Sequence, residues 1–106
     1  MVKRGEIWLV HLNPTQGSEI RKTRPCAALP PAEMHDYLRT AIVAPMTTKG
    51  FSAPFRIPLT HAGKRGLVLL DQVRTIDKTR LTRKQGTVSP ETLRAILATL
   101  RMVFEE

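Results

Sequence analysis

Proline sets the limits of what this chain can fold into. Its apolar runs are short, and prolines close most of them. Ile7-Trp8-Leu9-Val10-His11-Leu12 stops at Asn13-Pro14, Cys26-Ala27-Ala28-Leu29 at Pro30-Pro31, and Thr40-Ala41-Ile42-Val43-Ala44 at Pro45. Proline has no amide proton for a central ladder, so each run reads as a strand that ends where the proline stands. Phe55-Arg56-Ile57-Pro58-Leu59 alternates as a half-exposed strand does, and Pro58 assigns it to an edge or a bulge. Gly66-Leu67-Val68-Leu69-Leu70 suits a central strand and runs on into Asp71 to Ile76. Gly86-Thr87-Val88 reads as a last short strand, and Ala32 to Leu38 as a loop or a short helical turn.

The tail has a different period. Ser89 is a good N-cap and Pro90 fits the first helical position. Leu93, Ile96, Leu97, Leu100 and Phe104 then follow helical spacing, with Arg94 and Arg101 elsewhere on the wheel. This predicts one C-terminal helix, with Trp8 and Phe104 as core aromatics. The fold class is therefore mainly β with a C-terminal α-helix: a small, strongly bent β-barrel capped by the helix. A helix packed on an open antiparallel sheet is the alternative. The 106 residues suffice for one domain, 1–106, and contain no internal repeat or linker that would divide it.

Charge narrows the function. Seventeen Lys and Arg against nine Asp and Glu leave a net +8, an excess that suits a polyanion such as nucleic acid. A membrane surface fits less well, because the one amphipathic helix is not unusually basic on its polar face. No apolar segment is long enough for a signal peptide or a membrane span, and the single cysteine, Cys26, allows no internal disulfide, so a cytoplasmic protein is expected. Cys26 lies in an apolar run and reads as buried filler.

Several chemistries lack their motifs. His11, His35 and His61 are far apart and have no cysteine partners, and there is no HExxH or CxxC, so no metal or other cofactor is expected. GxxxxGK[ST], GxGxxG and GxSxG are also missing. What remains is basic. The segment Gly17-Ser18-Glu19-Ile20-Arg21-Lys22-Thr23-Arg24-Pro25 joins two strands and brings three cations and one carboxylate together. Thr47-Thr48-Lys49-Gly50 places two hydroxyls and an ammonium at a strand end, a set that can hold a phosphate. Arg74, Lys78, Arg80, Arg83 and Lys84 form a further basic segment, and Lys64-Arg65 sits before Gly66 on an expected turn. Aromatic residues are too sparse for a base-stacking sheet face.

The ordered set Arg4-Gly5-Glu6-Ile7-Trp8-Leu9-Val10, Leu12-Asn13-Pro14, Gly17-Ser18-Glu19, Arg24-Pro25, Ile42-Val43-Ala44-Pro45-Met46-Thr47 and Leu69-Leu70-Asp71-Gln72-Val73-Arg74-Thr75-Ile76-Asp77 resembles the MazF/PemK family of bacterial toxins. The resemblance spans nearly the whole chain. It implies a homodimer of a small SH3-like (MazF/CcdB-like) barrel with a C-terminal helix. It also implies a metal-independent endoribonuclease, the toxin of a toxin–antitoxin pair, that cuts single-stranded RNA by attack of the neighbouring 2′-hydroxyl. The family's catalytic arginine falls on Arg24, its threonine on Thr47 and its loop glutamate on Glu19, while its Asp-Gln pair falls on Asp71 and Gln72. A guanidinium presents a rigid fork of donors to the charge that builds on phosphate oxygens. Ser18, Arg21, Lys22, Thr48, Lys49 and Arg74 are expected to contact RNA, and the Gln72 amide suits a base edge. The expected protein partner is an antitoxin with an acidic, flexible segment. A gyrase-inhibiting toxin on the same barrel and a plain RNA-binding module are the alternatives. Two positions depart from the family pattern: His11 stands where many relatives have Asp, and Cys26-Ala27-Ala28 is smaller than the usual branched run.

Overall fold

The computed structural model describes residues 2–12, 22–29 and 37–105. Among these, seven strands and one helix follow in order: β1 (Glu6–His11), β2 (Thr23–Ala28), β3 (Thr40–Thr47), β4 (Arg56–His61), β5 (Lys64–Leu69), β6 (Arg74–Asp77), β7 (Leu81–Thr87) and α1 (Pro90–Val103). Short 3-10 turns at Leu70–Gln72 and Lys78–Arg80 flank β6. The expected Ala32–Leu38 turn falls mostly outside the described residues.

All pairings are antiparallel, and the strands run β4-β5-β3-β2-β1-β7, with β6 against β3. The sheet bends into a half-barrel. Its two end strands, β4 and β7, share no ladder, but His61 Nε2 lies 3.3 Å from Gln85 Oε1 across the seam. Pro58 lies on β4, an edge strand, as its missing amide requires.

Three expectations need correction. Pro45 does not end β3, which continues to Thr47. On its outer edge β3 pairs with β6 through Val43 and with β5 from Met46, so Pro45 stands between two ladders, where no amide is demanded. The last strand begins at Leu81, earlier than Gly86, because its exposed, cationic residues carry no apolar alternation. Phe104 is 79% exposed: the helix ends at Val103, and Phe104 only caps it.

The core lies on both faces of the bent sheet. Ile7, Ala27, Ala44, Met46, Ile57, Val68 and Leu70 pack under α1, which inserts Ile96. The opposite face buries Val10, Leu12, Cys26, Ala41, Val43 and Ile76, with Trp8 half-buried against them. Side chains alternate between the faces along β3, Ala41 and Val43 to one, Ala44 and Met46 to the other, as strand geometry dictates. Ser89 caps α1 by accepting from the Thr92 amide, and Pro90 opens the helix.

Candidate functional site

A groove of about 800 Å³ opens where four segments converge. The entry to β2 supplies Lys22, Thr23, Arg24 and Pro25. The end of β3 supplies Met46, Thr47 and Thr48. The β4–β5 hairpin adds His61, Ala62 and Lys64, and β7 adds Arg83, Lys84 and Gln85. Among the described residues the lining holds five cations and no carboxylate, so it favours a polyanion.

Arg24 stands here because β2 starts early. It pairs with Val10 of β1, while the β2–β3 ladder begins only at Cys26. Pro25 therefore lies beyond that ladder, where its missing amide costs nothing. Lys22, just before β2, has φ 70°, an uncommon conformation for a residue with a Cβ. Its carbonyl accepts from the Leu12 amide at 3.0 Å, which pins the segment to the end of β1.

Thr47 reaches the groove on the extension of β3 past Pro45. Its Oγ1 accepts from the Lys49 amide at 3.1 Å, so the hydroxyl proton is directed elsewhere. Behind it Gly66 makes a close approach: a Cβ at that position would lie 2.6 Å from the Thr47 carbonyl oxygen. Only glycine lets β5 pair this tightly against the end of β3.

Lys84, a groove cation, is tethered. Lys84 Nζ lies 2.8 Å from Glu6 Oε2, while Glu6 Oε1 accepts from the Lys3 amide at 2.8 Å and from Trp8 Nε1 at 3.1 Å. Burial pushes the Glu6 carboxyl up, but the hydrogen bonds from Lys84, Lys3 and Trp8 together outweigh it and hold it below its ordinary range.

The remaining sequence-predicted residues divide. Ser18, Glu19 and Arg21 lie outside the described residues. Thr48 lines the groove; Lys49, Gln72 and Arg74 do not. Arg74 Nη1 donates to the Leu12 carbonyl at 3.4 Å, and Asp71 is gripped by Arg56 through contacts of 3.0 and 3.2 Å. Arg56 also lies over the Phe51 ring, 4.4 Å from its centroid. His11 is exposed beside Thr23, and among the described residues no three His, Cys, Asp or Glu side chains gather as metal ligands. In the sequence Lys64, Arg83 and Lys84 stand out as basic without pointing to the site, His61 stands out only as a histidine without metal-ligand partners, and Gln85 not at all. The missing signal is topological, because only the bend brings the β4 and β7 edges together.

Known proteins carry the same frame. A model of the "PemK-like, MazF-like toxin of type II toxin-antitoxin system" matches residues 3–104. The Escherichia coli endoribonuclease PemK is 40% identical over 97 residues, covering 87% of this chain and 73% of that protein. The endoribonuclease toxin MazF of Escherichia coli (strain K12) is 33% identical over 101 residues, covering 94% and 91%. Among solved structures, MazF from Deinococcus radiodurans superposes with a TM-score of 0.86 at 24% identity, over 96% of this chain and 94% of that one. A Mycobacterial endoribonuclease in complex with its cognate antitoxin superposes with a TM-score of 0.81 at 18% identity, over 96% and 93%. These two likenesses show the fold.

Proposed function

Because the chain belongs to the PemK-like, MazF-like toxin family of type II toxin–antitoxin systems, we propose that it is an endoribonuclease toxin that cuts single-stranded RNA, mRNA above all, at preferred sequences. The observation that carries this reading is that Arg24 and Thr47, from separate strands, line one cationic groove. In the proposed reaction the 2′-oxygen attacks the adjacent phosphorus and the 5′-oxygen leaves. The ends are then a 2′,3′-cyclic phosphate and a 5′-hydroxyl. Negative charge builds on the non-bridging oxygens, where the Arg24 guanidinium supplies paired donors and the Thr47 hydroxyl a further one. Both groups are aimed from strands, so little reorganisation accompanies the step.

Glu19, in the segment before Arg24, either takes the 2′-proton or reads a base edge. Ser18, Arg21, Lys22 and Thr48 hold the RNA backbone, joined by Lys64 and Arg83 from the far wall. Lys49, Gln72 and Arg74 meet RNA that continues past the groove. The partner in the cell is an antitoxin whose acidic, flexible segment orders itself against the same cations. The active form is a cytoplasmic homodimer. Among the described residues no helix is long and apolar enough to cross a membrane.

The test is incubation of the purified protein with a defined single-stranded RNA in EDTA. Cleavage is expected, and Arg24→Ala slows it by on the order of 10²-fold or more. Intact RNA, or cleavage indifferent to Arg24→Ala, contradicts the reading.

A further inference from the structure

The β4–β7 seam holds a pair of side chains that the resemblance does not assign, and they share the groove with Arg24 and Thr47. In a regular strand successive side chains point to opposite faces. Along β7, however, Arg83, Lys84 and Gln85 all line the groove. The register explains how. Ile7 pairs with Gly86 but Trp8 pairs with Lys84, so Gln85 is the extra residue of a β-bulge and has no partner on β1. Bulges re-aim side chains and gather beside active sites. Gly86 follows with φ 155°, and a Cβ there would sit 3.9 Å from His61 Cε1, so the imidazole lies close over the bulge.

The polarity of the pair is set by the imidazole tautomer. His61 Nε2 faces Gln85 Oε1 at 3.3 Å. A carbonyl oxygen only accepts, so in the tautomer with its proton on Nε2 the imidazole donates to Gln85, and the amide NH₂ remains as a donor on a residue that lines the groove. The imidazole is in turn a flat face on which a base can rest. Gln72, the residue whose amide was expected to read a base, is not in the lining; Gln85 is.

We propose that His61 and Gln85 form a nucleobase subsite that selects bases carrying a keto oxygen, uracil or guanine, over bases carrying an amine at the same edge. The proposal rests on the reading of the groove as an RNA site. The base lies across the seam while its phosphate lies toward Arg24 and Thr47. Lys64, Arg83 and Lys84 around it attract every sequence alike, so they supply affinity without preference.

The test uses short single-stranded oligo-deoxyuridine and oligo-deoxycytidine, which differ in an O4 acceptor against an N4 amine. Lacking the 2′-hydroxyl, they cannot be cut by the proposed route, so binding is read apart from cleavage. Affinities are measured by fluorescence anisotropy at one fixed salt concentration. The wild-type protein is expected to favour deoxyuridine by roughly fivefold, the worth of one hydrogen bond. Gln85→Ala and His61→Ala bring the ratio near one, the second by freeing the amide to turn either end to the base. Gln85→Glu, which presents an acceptor in place of the donor, turns the preference toward deoxycytidine. A structural role for the pair gives no such reversal. Equal affinity of the wild-type protein for the two oligomers, no binding of either, or a uracil preference that survives all three substitutions overturns the proposal. A retained preference in a protein that leaves RNA intact supports the subsite and overturns only the cleavage reading.

Discussion

Cys26 shows burial outweighing the pull of nearby cations. Its side chain has no exposed surface, and burial pushes the thiol up to about 12, against the downward pull of Arg74 and Arg24. The unfolded chain loses this proton near the ordinary value of 9.0 while the folded chain keeps it. Stability tied to Cys26 is thus complete below pH 9 and lost as the pH rises toward 12. Denaturation at pH 8 and pH 10.5 should show a steeper alkaline loss for the native sequence than for Cys26→Ala. Glu6 works in the opposite direction. Its carboxyl is held low, so its contribution is present above pH 4.5 and is lost as the pH falls through the folded value. Glu6→Gln is expected to cost about 1–3 kcal/mol at pH 7 and to flatten the acid limb, as urea midpoints at pH 7 and pH 3 would show. The burial of Cys26 was legible, because an apolar run surrounds it. The role of Glu6 was not, because its partner Lys84 is far away in the sequence and meets it only through the β1–β7 ladder.

At the level of elements, one turn and one close contact between strands decide where the groove walls stand. His61 and Lys64 are paired, and the two residues between them, Ala62 at φ 54° and Gly63 at φ 77°, make the hairpin turn. Positive φ at both central positions is the preferred twist for a two-residue loop, and Asn-Gly suits it better than Ala-Gly. Ala62→Asn should therefore stabilise by about 1 kcal/mol, seen as a higher melting temperature. Gly66→Ala should act differently. Its Cβ meets the Thr47 carbonyl at 2.6 Å, so the end of β3 must move. The expected outcome is a kcat for RNA cleavage that falls more than tenfold with KM little changed; equal kcat for the two proteins contradicts it. The strands with apolar runs were legible from the sequence, as was α1 from its cap and period. β7 was not: it faces solvent and the groove, and two register shifts break its alternation. Pro45 misled for a related reason, since a strand shared between two ladders has a place for proline that a single ladder lacks.

The whole molecule assembles a site from segments that are distant along the chain. That Arg24 and Thr47 line one groove fits what the resemblance implies for them, and the basic character was legible through composition. The far wall was not, because no local pattern states that the β4 and β7 edges meet at His61 and Gln85. Lys22, Arg24, Lys64, Arg83 and Lys84 around the groove predict strongly salt-dependent binding. If each neutralises one phosphate, the logarithm of the affinity for single-stranded RNA falls with the logarithm of salt at a slope of about −3.5; a slope near zero contradicts the groove as the binding surface. The central claim is that Arg24 and Thr47 act together on one phosphate. It is tested most directly by single-turnover cleavage of one RNA by the wild-type protein, Arg24→Ala, Thr47→Ala and the double variant. Two groups serving one transition state predict strong non-additivity: each single change costs on the order of 10²-fold, and the double variant is little slower than the worse single. Rate losses that multiply, or a Thr47→Ala protein as fast as the wild type, contradict the shared site.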